Sequence, residues 1–167
     1  MKRIALICLA WIAITAVWAQ TPTFGYYSLD QVLQSLPAYQ QAETQLSQLK
    51  KQYADELDMA QQEFSSKYEA FLEGQNTFAP NIRSKRQAEL EQLIRQNQTF
   101  RDEAVRLLKQ AREQAHRPIL EKVQTAVNIL GSELQLDFIV NTDQQALTYI
   151  NPEKGKNLTE ILILRLK

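Results

Sequence analysis

From Ala38 to Leu130 the chain carries a single glycine, Gly74, and two prolines, Pro80 and Pro118, in a background of Gln, Glu, Lys, Arg and Leu. So few helix breakers among so many helix formers predict long helices. Tyr39, Ala42, Leu46, Leu49, Tyr53, Leu57, Ala60, Phe64, Tyr68 and Phe71 recur at threes and fours and make one narrow apolar stripe. The stripe stops at GQNTFAP, residues 74–80, where a glycine, polar residues and a proline give the chain a place to turn. A second stripe follows through Leu90, Leu93, Asn97, Phe100, Ala104, Leu107 and Ala111. Two such stripes predict an antiparallel coiled-coil hairpin. A reversal near residue 80 pairs Ala60 with Phe100, Leu57 with Ala104, Tyr53 with Leu107 and Phe64 with Asn97. The first arm helix, residues 38–77, would run for about 60 Å.

Pro118 stands inside the second helix, where a proline costs about 3 kcal/mol. Around it the apolar spacing loosens to fours, at Ala111, Ala115, Ile119 and Val123, so the apolar face rotates out of the seam toward another neighbour. A kink at Pro118, where the arm becomes something else, is the expectation.

The two ends of the chain read differently. FGYYSL, residues 24–29, is a strand candidate, and DQVLQSL is a brief helix ending before Pro37, which opens the next. LDFIVN and ALTYIN flank the polar turn TDQQ and predict a β-hairpin. NLTEILILRLK predicts a last helix with Asn157 as its cap and Glu160 at the third helical position. The expected fold is α+β and mostly α. A body of three short strands and short helices, residues 22–37 and 119–167, carries an inserted coiled-coil arm, residues 38–118. So small a body cannot cover its own apolar residues, which predicts self-association through Phe24, Tyr26, Phe138, Val140 and Ile150.

Residues 1–19 have a short basic start at Lys2 and Arg3, an apolar middle and a small residue, Ala19, before polar Gln20, the pattern of a secretory signal peptide. Its removal would take Cys8, Trp11 and Trp18, leaving neither a disulfide nor a tryptophan. It would also take two basic residues and no acid, so that seventeen basic residues face nineteen acidic ones. That balance argues against a nucleic-acid binder, and no stable membrane insertion is expected after cleavage. An enzyme is not expected, nor any cofactor or metal. His116 reads as a surface helix histidine, a single histidine without cysteine cannot complete a usual zinc set, and the scattered glycines form no phosphate loop.

Three stretches, FGYYSLDQVLQSLPAYQQAETQLSQLKKQYADEL, RPILEKVQTAV and LDFIVNTDQQALTYINPEKGKNLTEIL, together resemble the Skp (OmpH-like) periplasmic chaperones over essentially the whole mature chain. The resemblance implies a homotrimer whose strands form a shared body, with three helical arms around a cavity. It implies a periplasmic, ATP-independent holdase for unfolded outer-membrane β-barrel proteins. Phe64, Tyr68, Phe71, Leu72 and Phe78, toward the far end of the arm, are then the candidate client contacts. Phe64 and Tyr68 also fit the seam; Phe71 and Leu72 point in different directions, so one of them should be exposed. The mature chain is slightly acidic, which leaves electrostatic capture dependent on where its basic residues cluster. A different reading is a structural spacer or adaptor docking a folded envelope protein, although the outward positions Gln41, Gln45, Gln48 and Gln52 are polar.

Overall fold

The structure, a computed structural model, describes residues 23–144 and 148–167. In chain order the elements are β1 (Phe24–Tyr27), α1 (Leu29–Ser35), α2 (Pro37–Gly74), α3 (Pro80–Glu133), β2 (Phe138–Asn141), β3 (Gly155–Asn157) and α4 (Thr159–Leu166). The N-terminal segment read as a signal peptide lies outside the described residues.

Local chemistry sets the helix boundaries. Ser28 Oγ accepts the Gln31 N–H and caps α1. Leu36, which precedes Pro37, is held extended at φ −88° and ψ 122°, as a residue before proline requires, so α1 stops and α2 starts with Pro37 in its first turn. Pro80 opens α3 in the same way. Between them the Thr77 and Phe78 amides both donate to the Gly74 carbonyl and reverse the chain.

α2 and α3 form the expected long hairpin, but in another register. Phe100 faces Tyr53, ring centroids 6.0 Å apart, rather than Ala60. Asn97 donates through Nδ2 to the Ala60 carbonyl at 3.2 Å, about one turn short of Phe64. The cause is the turn. The chain reverses within residues 75–79, so Pro80 is already part of α3 and the fold axis lies ahead of it.

The sheet also departs from expectation. Its order is β2-β1-β3 and both pairings are parallel, Phe24 beside Phe138 and beside Gly155. LDFIVN supplies β2, but the hairpin with ALTYIN does not form. Thr148 to Asn151 are not strand, and residues 145–147 lie outside the described residues. The third strand is the unpromising GKN. The connection after β2 crosses β1 and delivers β3 to its far edge, which a tight turn cannot do for parallel strands. Asn157 therefore ends a strand instead of capping α4. Its Oδ1 still accepts the Thr159 N–H at 3.0 Å, while Leu158 occupies the cap position without a side-chain bond.

The core lies in the body, where Val32 of α1, Val123 and Leu130 of α3, Leu158, and Leu162 of α4 are sealed from solvent. Tyr27, Leu33, Leu36, Ala42, Ile119, Ala126 and Val127 complete it. The apolar face of α3 thus leaves the hairpin seam for the body at Ile119, as the loosened spacing indicates. α3 runs unbroken through Pro118. It ends where Gln135 takes a positive φ of 49° and the Leu136 amide returns to the Gly131 carbonyl, turning the chain into β2.

Candidate functional site: arm surface and sheet face

Side chains alternate across a strand, so β1 divides its four residues between two environments. Gly25 and Tyr27 face the core. Gly25 leaves room there, because a Cβ would come within 2.7 Å of Leu158 Cδ1 and 2.9 Å of Leu136 Cδ1 and force those core side chains to shift. Burial pushes the Tyr27 phenol above its ordinary pKa, and the Asp143 carboxylate adds to the effect. Phe24 and Tyr26 lie on the other face, beside Phe138 and Val140 of β2. Phe24 and Phe138 stack with centroids 5.4 Å apart and planes 5° from parallel, yet Phe138 remains 49% exposed. Four of the five residues expected to associate thus share one open sheet face. Ile150 is half-buried outside the strands.

At the far end of the arm, the five aromatic and apolar candidates fall into two groups. Phe71 is buried and packs on Phe78, 6.4 Å between centroids, and the Phe78 ring covers Gly74 so closely that a Cβ there would require the ring to shift. Phe71 is therefore part of the folded tip and is not offered to a ligand, against its reading as a contact; Leu72 is the exposed neighbour of the pair. Phe64 is half-buried and stacks on Tyr68, which is exposed. Met59, Ile82, Ile94 and Val105 are also exposed along the arm and escaped sequence reasoning. Ile94 and Val105 are immediate neighbours of the seam residues Leu93 and Ala104, which was the available signal.

His116 is not the free surface histidine expected. It sits at the base of the arm, half-buried, with Nε2 2.6 Å from Glu43 Oε1 and its ring 5.1 Å from that of Tyr39. The Tyr39 phenol is raised by burial and then by Glu43 and Asp30, against a lowering by Arg112. This cluster ties α2 to α3 two residues before Pro118. Among the described residues, no group of His, Cys, Asp or Glu side chains is arranged to hold a metal, and no helix is long and apolar enough to cross a membrane.

A long two-helix arm on a small sheet-bearing body, with apolar side chains exposed on both, defines an arm-and-body architecture. The family model described as outer membrane protein (OmpH-like) matches residues 23–166, and the chain belongs to that family. Among solved structures it is similar to a candidate outer membrane chaperone (OmpH-like) from Caulobacter crescentus CB15, with a TM-score of 0.71 and 14% sequence identity, over 87% of this chain and 84% of that one. Comparison with curated protein sequences finds no match.

Proposed function

We propose that the chain is a periplasmic, ATP-independent holdase chaperone, exported by residues 1–19, that binds unfolded outer-membrane β-barrel proteins and keeps them from aggregating. The observation that carries this reading is the arm. Its two helices bury only a narrow seam and leave Tyr68, Leu72, Ile94 and Val105 exposed along a rod far longer than its body. Such scattered apolar contacts hold an unfolded chain weakly and at many points, with no shaped pocket and no nucleotide. Membership in the OmpH-like family supports the same role.

The open sheet face of Phe24, Tyr26, Phe138 and Val140 supports self-association, and three copies joined there would set their arms around one cavity. A flex of the arm at Pro118 would let that cavity adapt.

The test is to dilute a urea-unfolded barrel protein into residues 20–167, following turbidity and the mass of soluble species by light scattering. The mature chain has no tryptophan, so client fluorescence reports binding directly. A soluble complex of one client with three copies is the expected result. Turbidity unchanged at every ionic strength would remove the holdase role and favour a folded docking partner.

A further inference from the structure

The first turn of α1 is served from distant parts of the chain. A helix leaves its first four amides without partners of its own, and α1, at seven residues, is too short to persist alone. Side chains take all four. The Ser28 N–H donates to Thr159 Oγ1 at 3.1 Å and the Leu29 N–H to Asn141 Oδ1 at 3.4 Å. The Asp30 N–H donates to Asp143 Oδ2 at 2.7 Å, and the Gln31 N–H to Ser28 Oγ at 3.2 Å. Only the last acceptor is local; the other three lie 112 to 131 residues away.

The acceptors are tied to one another and to β1. Asn141 Oδ1 also takes the Asp143 N–H at 3.1 Å, and the Ser28 hydroxyl donates to the Asp143 carboxylate at 2.9 Å. The Tyr27 carbonyl accepts the Thr142 N–H at 2.9 Å, and the Tyr26 carbonyl accepts the Leu158 N–H at 2.8 Å. The end of β2 and the start of α4 therefore meet on the residues that join β1 to α1. Thr159 is only 5% exposed, so water cannot take over the Ser28 amide while α4 stays in place. Behind this junction Val32 and Leu33 pack in the same core as Leu158 and Leu162.

We infer that this junction is a clasp that makes the body open as one unit: α1, residues 138–143 and residues 157–166 come apart together, and the open face of Phe24, Tyr26, Phe138 and Val140 is dismantled with them. Withdrawing any one of the three distant partners leaves an amide of α1 unpaired, and a helix so short has no other means of standing. None of these bonds reaches α2 or the arm portion of α3, so the outer arm opens separately. The inference holds whatever the chain binds.

Hydrogen exchange of single amides, read by NMR on residues 20–167 in low urea, tests the clasp. The amides of Val32, Thr142, Leu158 and Leu162 report on the unit, those of Tyr53 and Phe100 on the arm. Thr159→Val leaves the Ser28 amide without its acceptor and should speed exchange at all four body reporters by one common factor, about thirtyfold. In Asp143→Ala the exposed Asp30 amide can turn to water, and the common factor should be about fivefold. Asp143→Asn keeps an acceptor oxygen and should lie between Asp143→Ala and the unaltered chain. Tyr53 and Phe100 should exchange at the same rate in all of them. Acceleration confined to Val32, acceleration of the arm by the same factor, or no acceleration anywhere would overturn the inference. Should Thr159→Val fail to fold, the two Asp143 variants decide alone, by whether Leu162 follows Val32.

Discussion

The body and the arm are made by one chain and held together in different ways. In the body, Val32, Val123, Leu130, Leu158 and Leu162 are 2% exposed or less, each enclosed by elements from both ends of the sequence. In the arm, Tyr53, Leu57, Phe64, Leu93, Phe100 and Leu107 all lie on the seam, and all are only half-buried. Two helices meet along a line and cannot wrap what they bury, so full burial falls to small Ala104 and to a few residues such as Leu90 and the tip's Phe71. The arm gains stability by length, one modest contact after another. The body gains it by enclosure. Exposed ion pairs such as Lys51–Asp55 and Lys67–Glu63 add a few tenths of a kcal/mol each to the arm and change nothing in that contrast.

The sharpest way to break the contrast is to delete the same side chain in both places. Leu158→Ala should cost about 3 kcal/mol, because its enclosed site cannot collapse, and Leu107→Ala about 1 kcal/mol, because water already reaches the side chain. Urea-unfolding midpoints measure both, and equal losses would mean that the arm is as enclosed as the body.

A smaller effect separates two crowded glycines. At Gly25 an added methyl meets Leu158 and Leu136, both anchored in the core, so Gly25→Ala should cost about 2 kcal/mol. At Gly74 the obstacle is the outer end of the Phe78 ring, which can swing into solvent, and the gain of about 1 kcal/mol in helix propensity offsets the lost contact. Gly74→Ala should therefore leave the urea midpoint nearly unchanged. A large loss there would make the tip a rigid element like the body.

The smallest expected effect is alkaline. The Tyr27 phenol is raised by burial and by Asp143, so below its unfolded pKa of about 10 both states keep the proton and stability is intact. As pH rises through that value the unfolded chain releases its proton first, and stability falls until the folded phenol also ionises. Unfolding at pH 8 and 11 should show a smaller alkaline loss in Tyr27→Phe than in the unaltered chain. Identical losses would mean that Tyr27 does not sense its enclosure.

Features that depend on neighbours in sequence were legible. The seam, the Pro37 boundary between α1 and α2 and the departure of the α3 apolar face near Pro118 all follow from spacing and backbone chemistry. Features decided by distant contacts were not. GKN has no strand character and becomes β3 only because β1 offers it an open edge. The hairpin register depended on which residues of GQNTFAP turn, and Pro80 reads equally well as part of a turn or as the start of a helix. At the site, the tip aromatics could be picked out as candidates, but the packing of Phe71 under Phe78 could not be seen from periodicity. His116 looked solvated because its partner, Glu43, lies on the other helix.

The central position of β1 has a consequence for how the molecule is made. β1 is the first strand to be synthesised, yet its partners on either side, β2 and β3, arrive more than a hundred residues later. The intervening hairpin can zip from its own tip by contacts close in sequence, whereas the sheet must close the longest loop in the chain. The arm should therefore form early and act as the strut that brings the two ends together, and the body should lock only when Leu158 and Leu162 arrive behind β3. Until then the face of Phe24 and Tyr26 is without its strand partners, so a chain released before its last dozen residues would itself need sheltering.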